Sequence, residues 1–167
     1  MQPYLLKLYG DETAYWIAGL AAAIVACAQI VGGMAVTYFK KLFKLRTSAL
    51  AAGVIVSSIL LLLIGLTSSF WLAIALLVLW GLVFAAVTPI RQAYMNGLIP
   101  SKQRATVLSF DSLVGSSGGV VIQPILGRVA DLGSYPLSYI AGAGFQILAL
   151  PFVLLARRER PKSDVIS

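Results

Sequence analysis

The stretch from Thr47 to Ile90, TSALAAGVIVSSILLLLIGLTSSFWLAIALLVLWGLVFAAVTPI, runs for 44 residues without a charged side chain. One helix crosses a hydrocarbon layer of about 30 Å with roughly 20 apolar residues, so this stretch is too long for one crossing and right for two. Thr67-Ser68-Ser69 supplies the tight turn between them. Outward from this stretch the whole chain has the same character. Of its 167 residues, 59% are hydrophobic and 11% are charged, whereas a soluble domain carries about 25% charged residues. So short a chain cannot enclose that much apolar surface in a core of its own. The lipid bilayer must cover it, and the fold class is all-α integral membrane.

Five spans follow, at about 14–39, 48–66, 71–90, 107–129 and 136–156. Helices are expected because a helix satisfies its backbone hydrogen bonds inside the segment, and the alternation of barrel strands is absent. Residues 1–13 precede the bundle on the non-cytoplasmic side. The first apolar run, Thr13 to Phe39, has 27 residues; a signal-peptide core has roughly 7–15, so the run is retained as a span. Arg91 to Thr106 is the one sizeable loop, with turn signals at Asn96-Gly97 and Pro100-Ser101. Its first residues, Arg91 to Met95, are able to prolong the third helix. Residues 157–167 form a cytoplasmic tail, expected to be disordered beyond Pro161.

The charges set the orientation. Lysine and arginine number 13 against 6 aspartates and glutamates. Lys40, Lys41, Lys44 and Arg46 follow the first span; Arg91, Lys102 and Arg104 the third; Arg157, Arg158, Arg160 and Lys162 the fifth. Only Lys7 and Arg128 fall on the other side. An excess of basic loop residues marks the cytoplasmic face, which puts the amino terminus outside and the carboxyl terminus inside, in the cell (inner) membrane. The basic surplus is therefore a topology signal with an affinity for anionic headgroups, and nucleic acid is not a partner.

Chemistry on covalent bonds has little to stand on. There is no histidine, which removes the commonest general base and metal ligand. Cys27 is the only cysteine and reads as a small buried hydrophobe. Gly115-Ser116-Ser117-Gly118 spells the G-x-S-G of intramembrane serine proteases, yet Ser117 has no base: every lysine lies outside the spans. No phosphate loop, paired carboxylates or metal-ligand cluster is present, so neither an enzyme nor a cofactor or metal is expected.

The fourth span is the richest. Gly115 and Gly119 form G-x-x-x-G, and with Gly127 they offer small-residue surface for helix packing. Pro124 removes a backbone bond and predicts a bend over 120–124. Asp111 near its cytoplasmic end has Arg91 and Arg104 as candidate partners, since charges near hydrocarbon seek one another. Such a pair reads either as a structural clamp between helices or as a gate. Arg128 and Asp131 form a similar i,i+3 pair. Gln29, Gln123 and Gln146 either bond between helices or line a solute path. Trp80 and Phe84, four residues apart, share a helix face and read as core, lipid-facing or substrate-contacting.

The stretch from Pro89 to Ser109, PIRQAYMNGLIPSKQRATVLS, resembles the link between the tenth and eleventh helices of major facilitator superfamily transporters. The Gly-rich helix ending Gln123-Pro124-Ile125-Leu126-Gly127, with Ala130-Asp131, resembles their eleventh, and Gly119-x-x-x-Gln123-Pro124-x-x-Gly127 is a degraded form of the family's antiporter pattern, with Gln123 and Arg128 each in place of a glycine. Gln2-Pro3-Tyr4-Leu5 with Gly10 looks like the outer end of the seventh helix. Between the first two spans only the basic character of the family's loop survives: Gly33 is followed by Thr37, where the family has an aspartate, then by Lys40, Lys41, Lys44 and Arg46. The five spans then correspond to helices eight to twelve of the C-terminal six-helix bundle. The resemblance implies secondary transport of a small solute by alternating access, with a missing N-terminal half as partner and a proton-coupled drug or metabolite exporter as one form of it. It places Gln29, Trp80, Phe84, Ser112, Ser116 and Gln123 on the substrate pathway and Gln146 at the periphery. Ser112, Ser116 and Gln123 share one helical face. The competing expectation is a stand-alone membrane scaffold or partner subunit that oligomerises through the Gly-rich span.

Overall fold

The computed structural model describes residues 2–11, 13–34, 42–159, 164 and 165. Among them the chain forms seven α-helices: α1 (Gln2–Tyr9), α2 (Tyr15–Met34), α3 (Arg46–Leu66), α4 (Phe70–Leu98), α5 (Arg104–Leu132), α6 (Tyr135–Ile147) and α7 (Ala149–Arg158), with a 3₁₀ turn at Ser101–Gln103. The all-α membrane fold is thereby established. Five helical stretches have the length and composition to cross a bilayer: α2, α3, α4, the 3₁₀ turn with α5, and α6 with α7. Thr37, Lys40 and Lys41 of the first basic loop lie outside the described residues, as does the end of the first expected span.

The turns obey local chemistry. Gly10 takes a φ of 88°, a conformation that costs glycine little, and ends α1. Asp11 then accepts bonds from the Thr13 hydroxyl and amide at 2.6 and 2.9 Å. Those bonds hold its carboxyl below the ordinary carboxylate value. Ser134 caps α6, its hydroxyl accepting the Leu137 amide at 3.3 Å, and Pro136 sits in the first turn, where its missing N–H is no loss.

Three expectations give way to other physics. The long loop over 91–106 shrinks to Ile99 and Pro100, because α4 continues through Asn96-Gly97 to Leu98. The stop signal is Pro100: Ile99 before it is extended at φ −90°, ψ 125°, as a residue preceding proline prefers to be. The fifth span keeps its place as a candidate crossing, but its single helix gives way to two that meet at Leu148. Pro151 has no N–H for the carbonyl of Ile147 and its ring crowds that carbonyl. Cys27 is exposed rather than buried, since α2 has substantial contact only with α1 and α4 and its remaining surface is left open.

The core lies along α4. α2 and α3 both pack on it, and α3 also holds α6 and α7. Tyr4, Leu5, Ala21, Leu60, Ile64, Ala73, Leu76 and Leu77 form one cluster, and Ala49, Leu50, Ala86 and Ile90 another. Close approach depends on glycines. A Cβ on Gly32 would stand 2.7 Å from the Leu82 carbonyl oxygen, one on Gly65 2.8 Å from that of Pro136, and one on Gly53 would collide with Val87. Tyr4, 2% exposed, reaches the end of α3 and donates toward the carbonyls of Ile64 and Thr67 at 3.0 and 2.8 Å.

The two ends of the bundle differ. At one, Tyr9, Trp16, Phe70 and Trp71 meet edge to face with ring centroids 5.3–6.4 Å apart, the kind of aromatic layer found at a membrane–water boundary. At the other, Arg46 donates to the Ala93 carbonyl at 3.1 Å and Asp164 bonds Thr47. The start of α3, the end of α4 and the tail therefore share one end.

Candidate functional site

α5 is the exception in the bundle. Its one substantial helix neighbour is α6, and none of its residues is buried. Its glycines face open space: Cβ atoms on Gly115, Gly118 or Gly127 would meet nothing within 4 Å, and one on Gly119 only the side chain of Gln123 on the same helix. The glycines that join helices inside this chain are instead Gly32, Gly53 and Gly65. Gly32 stands beside Gly33, and Gly53 and Gly65 have no glycine near them; none of the three falls in a G-x-x-x-G spacing that would have marked it. Pro124 lies within a helix that runs unbroken from Arg104 to Leu132.

Between the C-terminal part of α4 and the facing side of α5 lies a groove of about 950 Å³, lined by Arg91, Gln92 and Asn96 of α4 and by Asp111, Ser112, Gly115, Ser116, Gly119 and Gln123 of α5. Ser112, Ser116 and Gln123 thus come together on one wall. The wall is polar because positions four and seven apart fall on one line of a helix. Two residues earlier, Phe110, Val114 and Val121 form the opposite line and are 65%, 53% and 58% exposed.

An ion pair stands at the charged end of the groove. Arg91 Nη2 meets Asp111 Oδ1 at 2.5 Å, the one salt bridge among the described residues. α4 and α5 otherwise scarcely approach each other, so this pair and the short link at 99–103 set their spacing. Arg104 makes no ion pair among the described residues. Nor do Arg128 and Asp131, both exposed, where the small net gain of a solvated pair does not fix two side chains in one geometry.

The other pathway candidates lie elsewhere. Trp80 stacks on Phe84 with centroids 5.5 Å apart and planes at 18°. Trp80 faces a second cavity, of about 730 Å³, walled by Leu77, Leu126, Tyr135, Tyr139 and Gln146 among others. Gln123 borders both spaces. Gln146, read as peripheral, lines the second. Phe84 is 52% exposed and does not line the groove. Gln29 is exposed and lies against Gly81 of α4, its Cγ 3.7 Å from where a Cβ would sit. Four buried polar atoms find no partner among the described residues: Ser58 Oγ within α3, Asn96 Oδ1 at the groove, and Trp80 Nε1 and Tyr139 Oη at the second cavity; of the residues at the two spaces, sequence reasoning missed Asn96 and Tyr139. A buried polar atom is ordinarily bonded, so the three at the two spaces mark surfaces that expect a further group.

Five helical stretches long and apolar enough to cross a bilayer, one of them with an open polar face, define an integral membrane protein. The family model described as Major Facilitator Superfamily matches residues 1–167, and the chain belongs to that superfamily, a family of membrane transporters. No curated protein and no solved structure matches it.

Proposed function

We propose that this chain is the carboxy-terminal half of a secondary transporter that moves a small solute by alternating access, with the α5 wall of the groove facing the solute path. The carrying observation is that Ser112, Ser116 and Gln123 converge on one open groove beside the Arg91–Asp111 pair. A helix that faced lipid there would leave hydroxyl and amide groups without partners in hydrocarbon, at several kcal/mol each. A water-filled path bordered by a second bundle resolves that conflict. Arg91 and Asp111 act as the gate: the pair closes the charged end of the groove, and separating it opens that end. In this arrangement the amino terminus lies outside and the carboxyl terminus in the cytoplasm of the cell (inner) membrane, and export of a drug or metabolite, driven by protons, fits the open polar wall.

The test is transport by the intact protein. Gln123→Ala is expected to reduce uptake or efflux more than Gln146→Ala at equal expression; equal losses would sink the assignment of the α5 wall. A second reading draws on the glycines. The empty space at Gly115 and Gly127 also suits close approach by another copy of this helix, which would make the chain a scaffold. A defined oligomer of this chain that survives in detergent, and is lost in Gly115→Leu, would favour that reading.

A further inference from the structure

The tail is by its composition a solvated and disordered end, yet its Asp164 is the most buried charged residue among the described residues. Asp164 is 1% exposed and its partner Thr47 is 0% exposed. The carboxylate accepts the Thr47 amide through Oδ1 and the Thr47 hydroxyl through Oδ2, both at 2.7 Å, and Leu45 and Val165 pair their backbones alongside as an antiparallel bridge. Thr47 stands in the first turn of α3, where backbone N–H groups lack helical partners and negative charge is favoured. Leu45, the residue at the N-cap position of α3, provides no side-chain cap. Asp164 does from 117 residues away.

We infer that the tail is a latch: Asp164, seated on the first turn of α3, fixes the end of α4 that carries the Arg91–Asp111 gate. One turn of α4 makes the connection. Arg91 pairs with Asp111 of α5, Ala93 accepts the bond from Arg46 of α3, and Tyr94 on the same turn is 8% exposed. Arg46 and Thr47 are neighbours in the chain, so the bond to the tail and the bond to α4 are made by adjacent residues. Undocking the tail would leave the N–H and hydroxyl of Thr47 without their acceptor and free the first turn of α3 to shift, and with it the turn of α4 that holds Arg91.

The test uses the full chain in membranes with Cys27→Ser as background. Leu45→Cys with Val165→Cys is expected to form a disulfide readily, because bridged residues stand at a spacing a disulfide accommodates. Adding Asp164→Ala should cut that cross-linking about tenfold, the population change expected on losing a charge-assisted hydrogen bond. Thr47→Val, which removes the hydroxyl and leaves the amide, should cut it by less. In a separate set, Ser112→Cys in the groove should react faster with a water-soluble maleimide when Asp164→Ala is present. No cross-link in the parent pair, or a cross-link indifferent to Asp164, would overturn the docking. Loss of the cross-link with unchanged Ser112→Cys reactivity would overturn the coupling to the gate. Neither readout depends on transport, so either can fail while the transport proposal stands.

Discussion

Replacing Gly32 by alanine perturbs the α2–α4 contact directly. The new Cβ would stand 2.7 Å from the Leu82 carbonyl oxygen, 2.9 Å from the Ala85 Cβ and 3.0 Å from the Leu82 Cα. Two of these three atoms are backbone, so no side chain can rotate away and the helices must part by roughly half an ångström. A gap of about 0.5–1 Å forfeits a quarter to a half of each affected dispersion contact, and overpacking a filled contact costs about 1–3 kcal/mol. Gly115→Ala is the control. Its Cβ would meet nothing within 4 Å, and alanine gains up to about 1 kcal/mol of helix propensity over glycine at either site. That gain cancels in the comparison, so Gly32→Ala should be less stable than Gly115→Ala by about 1–3 kcal/mol. The assay is equilibrium unfolding of the chain in bicelles by SDS titration, followed by tryptophan fluorescence. Equal stabilities, or a larger loss for Gly115→Ala, would refute the view that Gly32, Gly53 and Gly65 bind this bundle together while the G-x-x-x-G stripe is left open to something else.

Tyr4→Phe removes the hydroxyl that serves the end of α3 and should cost about 1–2 kcal/mol in the same titration, through carbonyls left without a donor; an unchanged midpoint would mean that water replaces it. Arg91→Ala and Asp111→Asn should each lower stability by no more than about 1 kcal/mol, because a pair with side chains 53% and 27% exposed is well solvated. Under the gate reading both nonetheless impair transport by the intact protein, and the exchanged pair Arg91→Asp with Asp111→Arg recovers part of it. A transport loss no larger than the stability loss explains would reduce the pair to a clamp. Gly65→Ala should loosen α6 from α3, seen as faster hydrogen exchange in α6, since its Cβ would press on the Pro136 carbonyl.

Much of the architecture was legible in the chain. The uncharged run of Thr47 to Ile90 required two crossings, and the lengths of the apolar runs placed the helices, because the bilayer sets a length scale that sequence must meet. Ser112, Ser116 and Gln123 were found on one face because helical spacing alone decides it. What escaped depends on partners far away in sequence. Which glycines meet another helix is set by the neighbour's backbone, so Gly32, Gly53 and Gly65 carried no signal while the G-x-x-x-G motif carried a loud one. The docking of Asp164 on Thr47 joins residues 117 apart and could not be read from a short polar tail. Asn96-Gly97 was read as a turn because those residue types favour turns, yet they sit in the last turns of α4, and the stop is Pro100.

The most direct test of the central claim is cysteine labelling along α5 of the intact protein in membranes, in a Cys27→Ser background. Ser112→Cys, Ser116→Cys and Gln123→Cys should react with a water-soluble maleimide, while Phe110→Cys, Val114→Cys and Val121→Cys, two residues away on the opposite line, should not. Equal protection of both lines would contradict a water-filled groove on this helix and with it the proposed solute path.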